Sequence, residues 1–117
     1  MKLIKVKIQG KEVQAALLNP DVARRYEEGH VLCAERCRKA LEIAPASDAL
    51  REQCQAVIDY VGSVFGIEGA QTIFGKETDV LSCLDVYEEM TQLYESQVMP
   101  VLNARMARLK KDIREEE

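Results

Sequence analysis

The sequence has no tryptophan, two phenylalanines, three prolines and one histidine among its 117 residues. The lone histidine stands in no recognisable nucleophile motif, and no glycine-rich stretch is followed by the lysine and hydroxyl residue of a phosphate-binding loop. No apolar run approaches the roughly 20 residues that span a bilayer. The opening stretch MKLIKVKIQG places lysines among its apolar residues and so lacks the apolar core of a signal peptide. The sequence therefore predicts neither an enzyme nor a membrane or exported protein.

Basic residues are too few for a typical nucleic-acid-binding protein. The chain has 16 lysines and arginines against 20 acidic residues, a net charge of −4 and a pI near 5.1. Phosphate binding needs a surplus of positive charge. The content of 47% hydrophobic and 31% charged residues is typical of a folded chain, and the length fits one domain over residues 1–117. We predict a soluble cytoplasmic domain with no nucleic-acid or membrane partner.

Four cysteines raise the question of metal binding: Cys33, Cys37, Cys54 and Cys83. A reducing cytoplasm disfavours disulfides. His30, Cys33 and Cys37 would share one face of a helix, which is compatible with ligands to one zinc ion. Cys54 or Cys83 could supply the fourth ligand. However, the two-residue spacing common between zinc-binding cysteines is absent, and this face is also the apolar face of the helix. We therefore predict buried core thiols and no cofactor, with a zinc site and a reactive thiol as alternatives.

Alternating apolar residues predict a β-hairpin over about residues 2–8 and 11–17. In the stretch KLIKVKI, lysines alternate with apolar residues, which is the period-two pattern of a half-buried strand. Gly10 can supply the positive φ that a tight turn between two strands needs. The hairpin would present its lysines to solvent and its apolar side chains to a helical layer.

An amphipathic helix is predicted over about residues 20–44. Asn19 is suited to cap its N-terminus, and Pro20 is suited to its first position, where no N–H is needed. Apolar residues then recur at spacings of three and four, which places them on one face. Pro45 is expected to end this helix.

A second helix is predicted over about residues 47–65, with Ser47 as its cap. Residues 67–75 then leave room for one or two helical turns. Both phenylalanines of the chain directly precede a glycine in this region, as Phe65-Gly66 and Phe74-Gly75. Each glycine lets the chain turn sharply after a large ring, Gly66 as a left-handed residue just past the helix. We predict that both rings point inward and fix the connector, with a partner-binding role for the rings as the alternative.

A long C-terminal helix is predicted over about residues 79–114. It would reach on the order of 50 Å, which exceeds the width of a small domain. Pro100 should kink it, because a proline offers no N–H to the carbonyl of Ser96. The turns beyond Pro100 are expected to leave the globule. The elements together predict a mainly α member of the α+β class, with an N-terminal hairpin packed on three helices.

Charge changes sign along the last helix. Residues 77–104 include six acidic residues and no basic ones, whereas residues 105–114 include five basic residues and one acidic residue. This layout complements the helix dipole, and it would also let the helix pair antiparallel with a copy of itself or bind an acidic partner. A large apolar stripe on a projecting helix is rarely left in water. We therefore predict a homo-oligomer or protein partner that contacts Val101, Leu102, Met106 and Leu109, with Tyr94 and Met90 as further candidates.

Several short motifs occur in a fixed order between about residues 3 and 95. They are Gly10-Lys11-Glu12, Asp21 through Tyr26-Glu27, Arg51 and Cys54 before Val57, Val64-Phe65-Gly66, Ile73-Phe74-Gly75, and Cys83-Leu84 leading to Tyr87-Glu88. This set, above all the two Phe-Gly pairs and their spacing, resembles a family of small phage and prophage proteins of Gram-positive bacteria. That family is grouped as a domain of unknown function and often described as tail proteins or tail assembly chaperones. The segment after Pro100 lies outside the resemblance.

The resemblance implies a small non-enzymatic protein made in the cytoplasm of a bacterial host cell. Such chaperones are thought to coat the long tape-measure protein, which keeps it soluble, and to recruit tail-tube subunits. An acidic chain with no catalytic set and an apolar helix in search of a partner agrees with that role. Two alternatives remain, a prophage-encoded regulatory adaptor that binds a host protein and a small zinc-binding protein.

Overall fold

The computed structural model describes residues 1–116, and these begin with an antiparallel hairpin of β1 (Ile4–Ile8) and β2 (Lys11–Ala15). Val6 lies opposite Val13 in the register. Gln9 and Gly10 both have positive φ, 52° and 73°, which is the pattern of a two-residue hairpin turn. The alternating apolar side chains are buried on one face, so the predicted hairpin and its turn are confirmed, with shorter strands.

Helix α1 (Pro20–Ala40) starts where predicted. The Asn19 side-chain oxygen accepts hydrogen bonds from the N–H groups of Asp21 and Val22. The helix ends at Ala40 and not near residue 44 as predicted. The N–H groups of residues 41–43 bond to carbonyls three residues back, so the chain tightens beyond Ala40 and is no longer α-helical. A residue before a proline is disfavoured in the α region, which keeps Ala44 out of the helix.

Helix α2 (Ala46–Phe74) consists of two helical arms on either side of a kink at Gly66. The first arm follows Pro45 and has no side-chain cap, which corrects the prediction that Ser47 caps it. Gly66 has φ 79° and ψ 174°, and Gly75 has φ 68° and ψ −152°. This combination of positive φ and extended ψ is essentially restricted to glycine, and it replaces the left-handed helical conformation predicted for Gly66. The rings of Phe65 and Phe74 are both buried, as predicted.

The long helix predicted over residues 79–114 is divided in the structure. Helix α3 (Val80–Thr91) is capped by Asp79, whose carboxylate accepts the N–H of Ser82 at 2.9 Å. A π-helical turn (Tyr94–Val98) follows, and α4 (Met99–Glu116) continues from it.

Two causes account for this division. The Met90 carbonyl, which a continuous α-helix would pair with the Tyr94 N–H, accepts the Tyr26 hydroxyl. The π turn ends two residues before Pro100, whose ring would clash with the Ser96 carbonyl in a regular α-helix. The irregularity therefore begins before Pro100 and ends as α4 starts.

The core lies between α2 and the elements that pack on it. Helices α1 and α3 and strand β2 all contact α2. Arg36 on α1 holds Asp59 of α2 at 2.7 Å and also binds Glu52, so charged contacts join the rim of this interface. The fully buried side chains come from β1, α1, α2, α3, the π turn, the segment after β2 and the residue before the π turn; they include Ile8, Leu17, Cys33, Val57, Val61, Cys83, Met90, Leu93 and Val98.

Helix α4 projects from this core. The described chain measures 68 × 24 × 21 Å, and its radius of gyration is 17.1 Å. A compact domain of this length would have a radius of gyration of about 13 Å. The prediction that the turns after Pro100 leave the globule is therefore confirmed. Over residues 1–116, no helix is both long and apolar enough to cross a membrane.

Candidate protein-interaction surface

Helix α4 carries an apolar stripe that faces solvent. We call the α4 stripe the five side chains Met99, Leu102, Met106, Leu109 and Ile113. Met99 is 37% exposed, Met106 53%, Leu109 50% and Ile113 52%, and Leu102 is half-buried. At about 100° per residue, these positions fall within roughly 80° of arc on the helix. The remaining faces of α4 are mainly polar or charged, so the stripe is a separate surface of the kind that protein partners cover.

The base of α4 is fixed to the hairpin. The side-chain amide of Gln97 accepts the Lys7 N–H and donates to the Lys7 carbonyl, each at 2.8 Å. This two-point contact pairs the outer edge of β1, which would otherwise be open to another strand. The Tyr94 hydroxyl donates to the Leu17 carbonyl at 2.7 Å, and the Val98 side chain is fully buried. The stripe therefore begins at an anchored point of the domain.

Charges flank the stripe unevenly. Beyond residue 104, α4 carries the basic side chains Arg105, Arg108, Lys110, Lys111 and Arg114, all exposed. The acidic residues of the stretch 77–104 are mostly exposed as well, but one of them makes a contact within the domain. Glu89 accepts the N–H of Gln9 in the hairpin turn at 2.6 Å. The projecting helix is consequently basic where it extends from an acidic body.

Three of the predicted contact residues lie off this surface. Met90 is fully buried, so it belongs to the core and is not available to a partner. Tyr94 is half-buried, and its hydroxyl donates a hydrogen bond to the Leu17 carbonyl. Val101 is exposed but lies on a different face, about 100° around the helix from Leu102. Leu102, Met106 and Leu109 remain, joined by Met99 and Ile113.

All four tyrosines and the histidine form one cluster that sequence reasoning missed. Tyr26 lies 4.5 Å from Tyr94 and 6.0 Å from Tyr60 between ring centroids, and His30 stacks on Tyr87 at 5.3 Å. The Tyr60 hydroxyl is buried without a hydrogen-bond partner in residues 1–116, and burial raises its pKa. The sequence indicates one part of this cluster, because Tyr26 and His30 are four residues apart and so lie on the same face of α1. The cluster joins α1, α2 and α3 to the π turn, so its visible role is packing.

The cysteines behave as core thiols. Cys33 and Cys83 are buried, and burial raises the pKa of Cys33 to about 12 and that of Cys83 to about 11. A raised pKa keeps the thiol protonated, which argues against reactivity at either position. The Cys37 thiol points at the Gln53 carbonyl, 3.9 Å away.

The alternative zinc site is not assembled in this fold. Within the described chain, no three His, Cys, Asp or Glu side chains are placed to hold a metal ion. His30 is engaged by the Tyr87 ring and not by the cysteines at positions 33, 37, 54 or 83. The helical face that carries His30, Cys33 and Cys37 is instead turned towards the core, where aromatic rings and thiols pack together.

The fold and the stripe define a mainly helical α+β domain that extends an amphipathic helix into solvent. The chain matches the family described as "Family of unknown function (DUF6673)" over residues 9–116, and it belongs to that family. The matched region includes the residues of α4. Comparison with curated proteins and with solved structures gives no match.

Proposed function

We propose that the chain is a non-enzymatic, cytoplasmic protein of phage or prophage tail assembly, which binds the tape-measure protein and tail-tube subunits as a chaperone does. The observation that carries the proposal is the exposed α4 stripe on a helix that leaves the domain. Its clients would be segments with an apolar face of their own, which are insoluble until they assemble.

The shape of the molecule supports a binding role. A helix laid into an apolar groove or beside another helix is a recurrent mode of protein recognition, with anchors at spacings of three and four residues. The α4 stripe supplies such anchors, two of them methionines, whose flexible side chains adapt to different partner surfaces. A chaperone that must coat a long client benefits from this tolerance.

The layout of the domain supports the same role. The root of α4 is held by Gln97, Tyr94 and Val98, so a bound client would sit at a defined distance from the acidic body. The link to tail proteins comes from the resemblance of the ordered motifs, including the two Phe-Gly pairs. The family description names no function.

Co-expression tests the proposal. The chain should be produced together with the tape-measure protein of the same tail operon, and the soluble yield of the tape-measure protein should be measured with and without it. We expect a higher soluble yield and co-purification on a tag carried by the chain. The double variant Leu102→Ser/Met106→Ser should lose both effects, because it removes the centre of the α4 stripe.

A matched control is available on the other faces of the same helix. Val101→Ser/Ala104→Ser introduces the same side chain twice away from the stripe and should behave like the natural chain. Circular dichroism should show that both variants keep their helical content. An unchanged tape-measure yield without co-purification would contradict the proposal and favour a regulatory adaptor that binds a host protein. Equal activity of both double variants would show that the stripe is not the contact surface.

A further inference from the structure

The α4 stripe has the spacing of a coiled-coil seam. From Met99 the steps to Leu102, Met106, Leu109 and Ile113 are three, four, three and four residues. This alternation is the heptad pattern, which presents a narrow seam to one partner helix of similar length. A helix that packs on a globular core usually shows a broader apolar face. The spacing therefore favours a single helix as the occupant of the stripe.

We propose that this helix is α4 of a second copy of the chain, paired antiparallel. With the two-fold axis between Ala107 and Arg108, Met106 packs on Leu109 of the second copy and Leu102 packs on Ile113 of the second copy. The symmetry repeats both contacts, as in any self-complementary interface. Apolar side chains thus meet apolar side chains in each of these layers.

The flanking charges favour this orientation. Arg105 and Asp112 lie on the same side of the stripe, one heptad apart. In the antiparallel register Arg105 comes beside Asp112 of the second copy, and the reciprocal pair forms by symmetry. In the described part of the chain neither residue takes part in an ion pair, so both side chains are available. On the other side of the stripe, Asn103 meets Lys110 of the second copy without repulsion.

The parallel orientation is disfavoured by the same residues. In a parallel, in-register pair Arg105 would lie beside Lys110 of the second copy, and the symmetry would repeat this contact between like charges. Like charges placed side by side across an interface oppose association. The sequence of α4 therefore distinguishes between the two orientations.

The molecule also leaves room for the second helix. In the antiparallel register the second α4 runs over the whole length of the first, about 27 Å, and ends level with Met99. The body of the domain begins at that level, because Val98 is buried and Met99 is partly exposed. The two bodies would thus lie at opposite ends of the helix pair.

Self-pairing does not depend on a role in tail assembly. It rests on the spacing, the charges and the exposure of α4 alone, so it can hold even if the tape-measure protein is not a client. Only one consequence depends on the proposed function: the second copy would cover the stripe until a client takes its place.

Charge reversal tests the orientation. Sedimentation equilibrium or light scattering over a range of concentrations should measure dimerisation of the natural chain and of three variants. Arg105→Asp should weaken the dimer about tenfold, because two exposed ion pairs become two repulsions. Asp112→Arg should weaken the dimer similarly, although an arginine at this position is favourable for the helix itself, since it lies near the C-terminus. The double variant Arg105→Asp/Asp112→Arg should restore the dimer, because it exchanges the two charges.

The outcomes separate the competing arrangements. A parallel pair would be strengthened by Arg105→Asp, since the introduced carboxylate would face Lys110 of the second copy, and that result would overturn the proposal. A natural chain that stays monomeric at every concentration would also overturn it, leaving a different protein as the occupant. Weakening in both single variants with recovery in the double variant supports the antiparallel pair.

Discussion

The Tyr26 hydroxyl contacts a carbonyl in the last turn of α3, that of Met90, although the two residues are 64 positions apart in the sequence. Contacts between residues far apart in the sequence explain which of the predicted partner residues are buried in the structure. The apolar spacing of α3 correctly placed Met90 on the helical stripe, but spacing does not say whether a stripe faces the core or a partner. The predicted partner residues before Pro100 lie at the core because α1 and the hairpin cover them. Val101, Met106 and Leu109 stay exposed because α4 projects beyond the core, and Leu102 near its base is half-buried.

The buried thiols give a prediction at this scale. Burial, helped by the neighbouring Cys37, raises the pKa of Cys33 from 9.0 to about 12. Between these values the unfolded chain has lost the thiol proton and the folded chain keeps it, so the unfolded state binds fewer protons. The contribution of this thiol to the free energy of unfolding should therefore be constant below about pH 9 and fall as the pH rises further, by up to about 1.4 kcal/mol per pH unit.

Urea unfolding at about pH 8 and about pH 10.5 measures this dependence. The control is Cys33→Ala, which lowers stability at both values but should reduce the difference between them. Cys83, with its pKa raised to about 11, and the tyrosines, whose pKa values are also raised, keep some dependence in the variant. Equal stability of the natural chain at both pH values would contradict the burial argument.

Elements with strong local signals were predicted from the sequence. The turn at Gly10 and the cap at Asn19 depend on residues within a few positions of one another. The break near Pro100 was predicted from the proline alone, which is one of its two causes. The end of α1 at Ala40 and the π turn were not predicted. The end of α1 depends on the residues before Pro45, and the π turn depends on Pro100 and on the distant hydroxyl of Tyr26. A single periodic pattern does not encode either one.

Glycines in α2 give a matched pair of substitutions. A Cβ added at Gly66 or at Gly62 would meet no atom within 4 Å, so neither alanine is excluded by packing. Gly66 has a positive φ with extended ψ, whereas Gly62 lies in the regular first arm. Gly66→Ala should destabilise the domain by about 1–3 kcal/mol through backbone strain. Gly62→Ala should stabilise it by up to about 1 kcal/mol through helix propensity.

Urea unfolding of the two alanine variants beside the natural chain gives both values. Opposite signs are expected, because side-chain contacts are absent at both positions and only the backbone differs. If Gly66→Ala were as stable as the natural chain, the kink would not require glycine, and the physical account of the Phe65-Gly66 pair would fail.

The whole molecule is an acidic body with one basic, amphipathic helix extending from it. Folding alone leaves the α4 stripe in water, although a hydrophobic seam of this length usually has a partner. The tail-assembly proposal and the antiparallel pair both follow from this unfilled surface. They differ only in the protein that covers it. The central claim common to both is that the α4 stripe is a protein contact surface.

Native mass spectrometry of the natural chain and of Leu102→Ser/Met106→Ser tests this claim most directly, because each spectrum reports both oligomeric state and bound metal. We expect a metal-free dimer for the natural chain and a folded monomer for the variant. A dimer in both proteins would contradict a contact through the stripe, whereas monomers in both would exclude the second copy and leave a different protein as the occupant. A monomer carrying one zinc ion would instead favour a zinc site on the cysteine-bearing face of α1.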